Sequence, residues 1–379
     1  MVRRPLFGLG FLNMILVTGG TGFVGQEVVA ELLRLGQRVR LIVRHPEKAA
    51  KLPFAQQVEF VQGDVLKPET LPAALAGVNA VIHLVGFIIE TRHISYEQGH
   101  FEATRNLVLA AKQAGVTRWI QMSAAGTRPH ARSRYHQTKW CAEEFVRQSG
   151  LDWTIFRPSL VYGYDKRDRL LNLLKRVLTF PVDLAQLDSL PLINGGRPLV
   201  QPVSVKEVAR CFAAAPAQPV AIGRTFDLVG PVALTWREMV LKILAALGRK
   251  GVYEEFPLLL MLRMLLWIAT LFLAVMLVYF LVIHGNRPYH FPVVLAGVLL
   301  VPLVIGCACW RSIIIFNIPG ELLIQASEVL NYIAPQGLRP SEALKMSVED
   351  NIGDPHPAEE VFGYRAEAFE EGVRRILGK

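Results

Sequence analysis

A strand that breaks directly into a glycine loop and then a helix constrains this chain more than any other feature. The stretch "MILVTGGTGFVGQEVVAELLRLG" opens at Met14 as a short apolar strand and sets Gly19, Gly22 and Gly25 at G-x-x-G-x-x-G spacing. Apolar residues then recur at helical spacing (Val24, Val28, Val29, Leu32, Leu33) up to a stop at Gly36. Glycine permits a tight turn and lets the backbone approach a pyrophosphate. The start of the helix adds free N–H groups and the positive end of the helix dipole. In this context the spacing predicts a dinucleotide site, with Thr21, Phe23 and Val24 completing the loop.

The rhythm continues downstream. "QRVRLIVR", "VEFVQGD", "NAVIHLVG", "VTRWIQMSA" and "DWTIFRPS" read as strands. Helices are expected at "GHFEATRNLVLAAKQAG" and from Tyr135 to Ser149. Strands alternating with helices predict an α/β fold, a doubly wound parallel (Rossmann) sheet covered on both faces. The rhythm changes near residue 160. The expected organisation is an extension over 1–13, a nucleotide-binding core over 14–160, a small substrate-facing lobe with returning strands over 161–257, an inserted hairpin over 258–318 and a helical segment over 319–379. The start "MVRRPLFGLGFLN" superficially resembles a signal peptide, but cleavage would remove the first strand of the nucleotide site, so it reads as an extension or an upstream start.

Several strand ends carry residues suited to a cofactor. Arg44 follows the second strand, where an acidic residue would grip the ribose hydroxyls of NAD. Arginine there can pair with a 2′-phosphate instead, so NADP is favoured, with NAD as the alternative. Asp64 and Val65 follow the third strand, on the adenine side. Gly86 follows the fourth and lets backbone lie near the cofactor, and Pro158 ends the sixth. Tyr135 and Lys139, in "YHQTK", share one helix face at i and i+4. A free tyrosine has a pKa near 10, and a neighbouring ammonium lowers it by favouring the phenolate. Ser123, at the end of the fifth strand, can hydrogen-bond a substrate oxygen, completing a Ser–Tyr–Lys set that moves a proton while a nicotinamide moves hydride. His83 and His93 read as structural, and no metal site is evident.

The sequence is 52% apolar and 19% charged, with a formal net charge of +9. The positive balance fits anionic partners, but no dense basic run interleaved with aromatics points to nucleic acid. Cys141, Cys211, Cys307 and Cys309 form no disulfide framework, which fits a reducing compartment. The apolar excess is concentrated in two uncharged runs of about 20 residues each, Met264–Ile283 and Phe291–Trp310, joined by "HGNRPYH". They predict two antiparallel transmembrane helices with Trp267, Tyr279, Tyr289 and Trp310 near the interfaces. Since the cofactor belongs to the cytoplasm, the lobes are expected on the cytoplasmic face of the inner membrane. The basic stretch "DKRDRLLNLLKRVL" could rest on lipid phosphates, or be a plain amphipathic core helix.

Through "TGGTGFVG", "MSAAG", "YHQTK", "IFRPSLVYG" and "QPVSVKEVA" the chain resembles extended and atypical members of the short-chain dehydrogenase/reductase superfamily. Within them it looks like the group holding the 39-kDa NAD(P)H-binding accessory subunit of respiratory complex I and a related quinone-biosynthesis factor. The likeness covers roughly residues 14 to 255 and resumes at "SVEDNIGDPHPAEEVFGYRAEAFEEGVRRIL". It implies Gly19, Gly22 and Gly25 at the pyrophosphate, Tyr135 as acid/base, Lys139 as its partner, Ser123 as stabiliser, and Pro158 and Ser159 on the nicotinamide side. The expectation is a membrane-anchored, NADP-dependent oxidoreductase acting on a lipophilic molecule of the quinone or isoprenoid kind. The alternatives are a non-catalytic NAD(P)H-binding accessory factor of a respiratory or quinone-synthesis complex, and an NAD-dependent sugar-nucleotide epimerase or dehydratase, against which Arg44 argues.

Overall fold

The structure, a computed structural model, describes residues 14–91, 93–163, 189–248, 250–254, 265, 312–321, most of 324–328, and 340–377. These fall into two compact units. In the first, seven strands lie in one sheet: β1 (Met14–Thr18), β2 (Arg38–Val43), β3 (Glu59–Gln62), β4 (Ala80–His83), β5 (Arg118–Met122), β6 (Asp152–Pro158) and β7 (Arg224–Leu228). Their spatial order is β7-β6-β5-β4-β1-β2-β3, and every pairing is parallel. The order runs outward in both directions from β1, so the chain reverses direction of travel between β1 and β4. In such sheets the crevice at the carboxyl ends of those strands is where ligands bind.

The pleat of β1 explains why the sheet is covered on both sides. Successive side chains point to opposite faces. Ile15 and Val17 enter one core with Val28, Leu32, Ile82 and Phe156. Met14 and Leu16 enter the other with Leu107, Val108, Trp119 and Ile155. Three longer helices carry this packing near the site: α1 (Phe23–Arg34), α2 (Ala103–Gln113) and α3 (Arg134–Arg147). The expected parallel Rossmann-like sheet is therefore present, and the expected helix over Tyr135 to Ser149 is α3.

The second unit holds a three-stranded parallel sheet with Ser312–Ile318 between Lys250–Glu254 and Ser189–Ile193. A helix over Trp236–Ala246 opens with a capping box, in which Thr235 and Glu238 satisfy each other's backbone N–H groups. The segment over 258–318 thus ends in a strand, not in hairpin. Its β-branched run Ile313–Ile315 favours extended chain. Among the described residues no helix is long and apolar enough to cross a membrane, so the inserted hairpin finds no support in the described fold. The runs Met264–Ile283 and Phe291–Trp310, apart from Leu265, lie outside the described residues, as does the basic stretch "DKRDRLLNLLKRVL".

Candidate functional site

The glycine loop depends on two of its glycines, Gly19 and Gly25. Gly19 takes φ +73°, a left-handed conformation that β-carbons resist. The Gly22 N–H donates to the Gly19 carbonyl at 2.9 Å, closing the turn. A Cβ on Gly25 would lie 2.2 Å from the Gly19 oxygen and 2.7 Å from the Gly20 Cα. Both are backbone atoms, so the close approach of α1 to the loop depends on a bare Gly25. Gly22 caps α1 without any side-chain hydrogen bond, and the first turn carries no acidic residue. The first N–H groups of α1 are thus left to an anion, which fits the pyrophosphate of a dinucleotide. Thr21 sits exposed at the loop's crest, with Phe23 and Val24 partly buried behind it.

The other expected cofactor residues also lie at the carboxyl edge of the sheet. Arg44 stands exposed one residue past β2. Asp64, past β3, is half-buried and accepts the Leu66 N–H at 3.0 Å; Val65 is core. Gly86 follows β4. Pro158 closes β6 and accepts the Ala125 N–H at 2.9 Å, tying β6 to the segment after β5.

Lys139 is the best-defined member of the Ser–Tyr–Lys set. It is 4% exposed, and its Nζ donates to the Met122 carbonyl at 3.3 Å, one residue before Ser123. A Cβ on Gly86 would sit 2.8 Å from that Nζ, so backbone from the β4 loop lies directly against the ammonium. Burial lowers the Lys139 pKa to about 8, with Glu143, one helical turn on, pulling the other way. Ser123 is buried and shares a 3.4 Å hydrogen bond with the Thr127 hydroxyl. Tyr135 is half-buried, its ring edge-on to His100 at 5.1 Å and to Tyr96 at 5.7 Å. Neither Ser123 nor Lys139 hydrogen-bonds the Tyr135 hydroxyl. Burial pushes that hydroxyl up to about 12. The expected lowering by the ammonium is absent because Lys139 is directed at Met122 and Gly86, and desolvation wins. The three residues are brought to one edge of the sheet, with Tyr135 protonated at neutral pH.

Several residues around this set escaped sequence reasoning. His100 is buried between Phe87 and Thr138. His136 and Ser133 join at 2.9 Å at the start of α3, and Glu349 accepts the Arg132 N–H at 3.0 Å and meets Arg128. Glu342 accepts the Arg134 N–H at 2.7 Å. Two carboxylates from the far end of the chain therefore face the positive end of α3. Fully buried Glu143 holds Arg157 through both oxygens, at 2.9 and 2.6 Å. The signal for His100 was a histidine on the buried face of a helix, and for Ser133 and His136 a capping serine three residues before its partner; Glu342 and Glu349 lie more than 200 residues from theirs and leave no local pattern. His83 is a core residue. It shares a 2.7 Å hydrogen bond with Thr18 and is held neutral, down to about 3, by burial. His93 is exposed. Among the described residues no cluster could hold a metal ion.

Comparison with known proteins agrees with this geometry. Residues 19–173 match the family model described as NAD(P)H-binding. The chain is 32% identical over 247 residues to the mitochondrial NADH dehydrogenase [ubiquinone] 1 alpha subcomplex subunit 9 of Arabidopsis thaliana, covering 63% of this chain and 60% of that protein. It is 28% identical over 249 residues to the NAD(P)H azoreductase of Xenophilus azovorans, covering 65% of this chain and 78% of the relative. The chain thus spans less than two thirds of the length of the respiratory subunits it matches. A nucleoside-diphosphate-sugar epimerase from Staphylococcus aureus superposes with a TM-score of 0.63 at 15% identity, over 95% of this chain and 99% of that one, a likeness of fold alone.

Proposed function

We propose, from the premise that this chain belongs to the NAD(P)H-binding, extended short-chain dehydrogenase/reductase-like family, that it is an NADPH-dependent reductase of a lipophilic acceptor, anchored at the cytoplasmic face of a membrane. The observation that carries the reading is the buried Lys139 ammonium held against the ends of β4 and β5, on the same helix face as a protonated Tyr135. Gly19, Gly22 and Gly25 would hold the pyrophosphate, Arg44 a 2′-phosphate, and Asp64, Val65, Gly86 and Pro158 the remainder. When bound, a reduced nicotinamide supplies hydride. Tyr135 gives its proton to the acceptor oxygen as that oxygen gains charge, Ser123 donates a hydrogen bond to the same oxygen, and the Lys139 ammonium, held on the Met122 carbonyl, adds positive charge at this edge of the sheet. A tyrosine that begins protonated suits reduction better than oxidation.

A lipophilic acceptor is supported by the loop after β4. Ile88 and Ile89 are 56% and 47% exposed beside the site. The loop is braced: Tyr96 donates its hydroxyl to the Ile88 carbonyl at 2.5 Å, and Glu90 accepts the Tyr96 N–H at 2.8 Å. Two neighbouring isoleucines exposed to water on a braced loop favour an apolar contact. The uncharged runs after residue 263 support the membrane part of the reading. The test is NADPH oxidation by the full chain in mild detergent, offered a long-tailed quinone and a water-soluble one. Oxidation with the long-tailed acceptor that Tyr135→Phe abolishes is the expected result.

Similarity to a respiratory-complex subunit favours a second reading, in which the domain binds NAD(P)H and stabilises an assembly without turnover. Tight NADPH binding with no oxidation, and co-purification with a respiratory complex, would favour it.

A further inference from the structure

His100 is a buried titratable side chain that the mechanism above does not use. It sits in a single wide turn, Glu97–Glu102, wound as π-helix immediately before α2. Such turns insert one residue into a helix and recur at functional sites. This one places the imidazole between two walls of the site. On one side Nδ1 lies 2.9 Å from the hydroxyl of Thr138, which precedes Lys139 on α3 and follows Tyr135 by three residues. On the other, Nε2 lies 3.2 Å from the Phe87 carbonyl oxygen and 3.4 Å from the Phe87 nitrogen.

Both tautomers complete the bridge. With the proton on Nε2, the ring donates to the Phe87 carbonyl and Thr138 donates to Nδ1. With the proton on Nδ1, the ring donates to the Thr138 oxygen, the Thr138 hydroxyl donates to the Arg134 or Tyr135 carbonyl, and Nε2 accepts the Phe87 N–H. The ring is neutral in either case, since burial and the nearby Lys139 ammonium hold it well below the usual imidazole range. The residue before Phe87 is Gly86, whose missing Cβ would fall 2.8 Å from Lys139 Nζ and 3.7 Å from His100 Cδ2.

We infer that His100 is a positioning residue: it clamps the Gly86–Phe87 backbone onto α3 and so keeps water from the Lys139 ammonium. The inference deepens the proposed function and rests on it in taking the Lys139 ammonium as part of the site. Among the described residues, the titratable groups that act on Lys139 are His83 from β4, His100 from the wide turn and Glu143 from α3 itself; Tyr135, on the same helix, makes no hydrogen bond to it. Releasing the loop would hydrate the ammonium and return its pKa toward that of a free lysine.

The test is a pH titration of the full chain in detergent micelles, with 13C on the lysine methylene next to nitrogen. The Lys139 signal is assigned by its loss in Lys139→Arg. In the unsubstituted protein it should titrate near pH 8. His100→Ala, and His100→Asn, which reaches Thr138 but not Phe87, should raise that midpoint by roughly one unit or more. His100→Gln, whose amide nitrogen reaches the Phe87 carbonyl, should restore it. An unchanged midpoint in folded His100→Asn would overturn the inference, as would a His100→Gln midpoint as high as that of His100→Asn. The titration needs no turnover. A protein that fails to oxidise NADPH would sink the proposed function and leave the clamp to be judged by the titration.

Discussion

Adding a single carbon to Gly25 should separate this loop from an ordinary tight turn. The new Cβ would meet the Gly19 oxygen at 2.2 Å, where ordinary contact begins near 3.4 Å, so loop and helix must part by about 1 Å. No flexible side chain can yield, because the colliding atoms are backbone. Overpacking of this kind costs about 1–3 kcal/mol of stability. The same displacement would stretch a hydrogen bond from the α1 N-terminus to a phosphate beyond useful range, a loss of about 1.5–3 kcal/mol for a charged acceptor. At about 1.4 kcal/mol per tenfold, NADPH affinity should fall roughly 10- to 150-fold. Gly36→Ala is the control. Gly36 also has a positive φ, +73°, but a Cβ there meets nothing within 4 Å. It should cost about 1 kcal/mol of stability and leave affinity unchanged. Nucleotide fluorescence gives the affinity and urea unfolding the stability. Equal NADPH affinity in Gly25→Ala and the unsubstituted protein would refute the assignment of this loop to the pyrophosphate.

Other consequences follow from the same geometry. A lysine whose folded pKa is about 8 against 10.5 when free destabilises the fold by about 3 kcal/mol below pH 8, a cost relieved as pH rises from 8 to 10.5. Lys139→Met should therefore be more stable than the unsubstituted protein at pH 7 by up to about that amount, with the gap closing across that window; a gap independent of pH would show that burial does not perturb this lysine. Arg44→Asp should move nucleotide preference from NADPH toward NADH in paired titrations, and an unaltered ratio would remove Arg44 from 2′-phosphate recognition. Glu143→Ala should cost about 3–5 kcal/mol in urea unfolding, because it strands the partly buried Arg157.

What the sequence made legible was local. The strand–loop–helix over Met14–Arg34 announces itself because turn, phosphate approach and helix start all depend on residues a few positions apart. The parallel sheet follows from strands separated by helices, and Tyr135 and Lys139 share a face because i and i+4 always do. The electrostatic state of the site was not legible. The direction in which Tyr135 shifts depends on where the Lys139 ammonium points, and that is set by Met122 and Gly86 from other strands. The carboxylates facing α3 come from residues 342 and 349, far along the chain. The bound of 258–318 also took in a strand, although the uncharged runs stop at Trp310. The short isoleucine-rich run that follows them carries no local sign of its partners, and Ser312–Ile318 pairs with strands on both sides.

The central claim is that this site transfers hydride to a lipophilic acceptor with Tyr135 as the acid. Its most direct test is the rate of NADPH oxidation, with a long-tailed quinone in detergent micelles, by the unsubstituted chain and by Tyr135→Phe at matched nucleotide saturation. Oxidation that the substitution abolishes while NADPH binding stays intact is the result expected here. Equal rates in the two proteins, or tight NADPH binding with no oxidation in either, would contradict it.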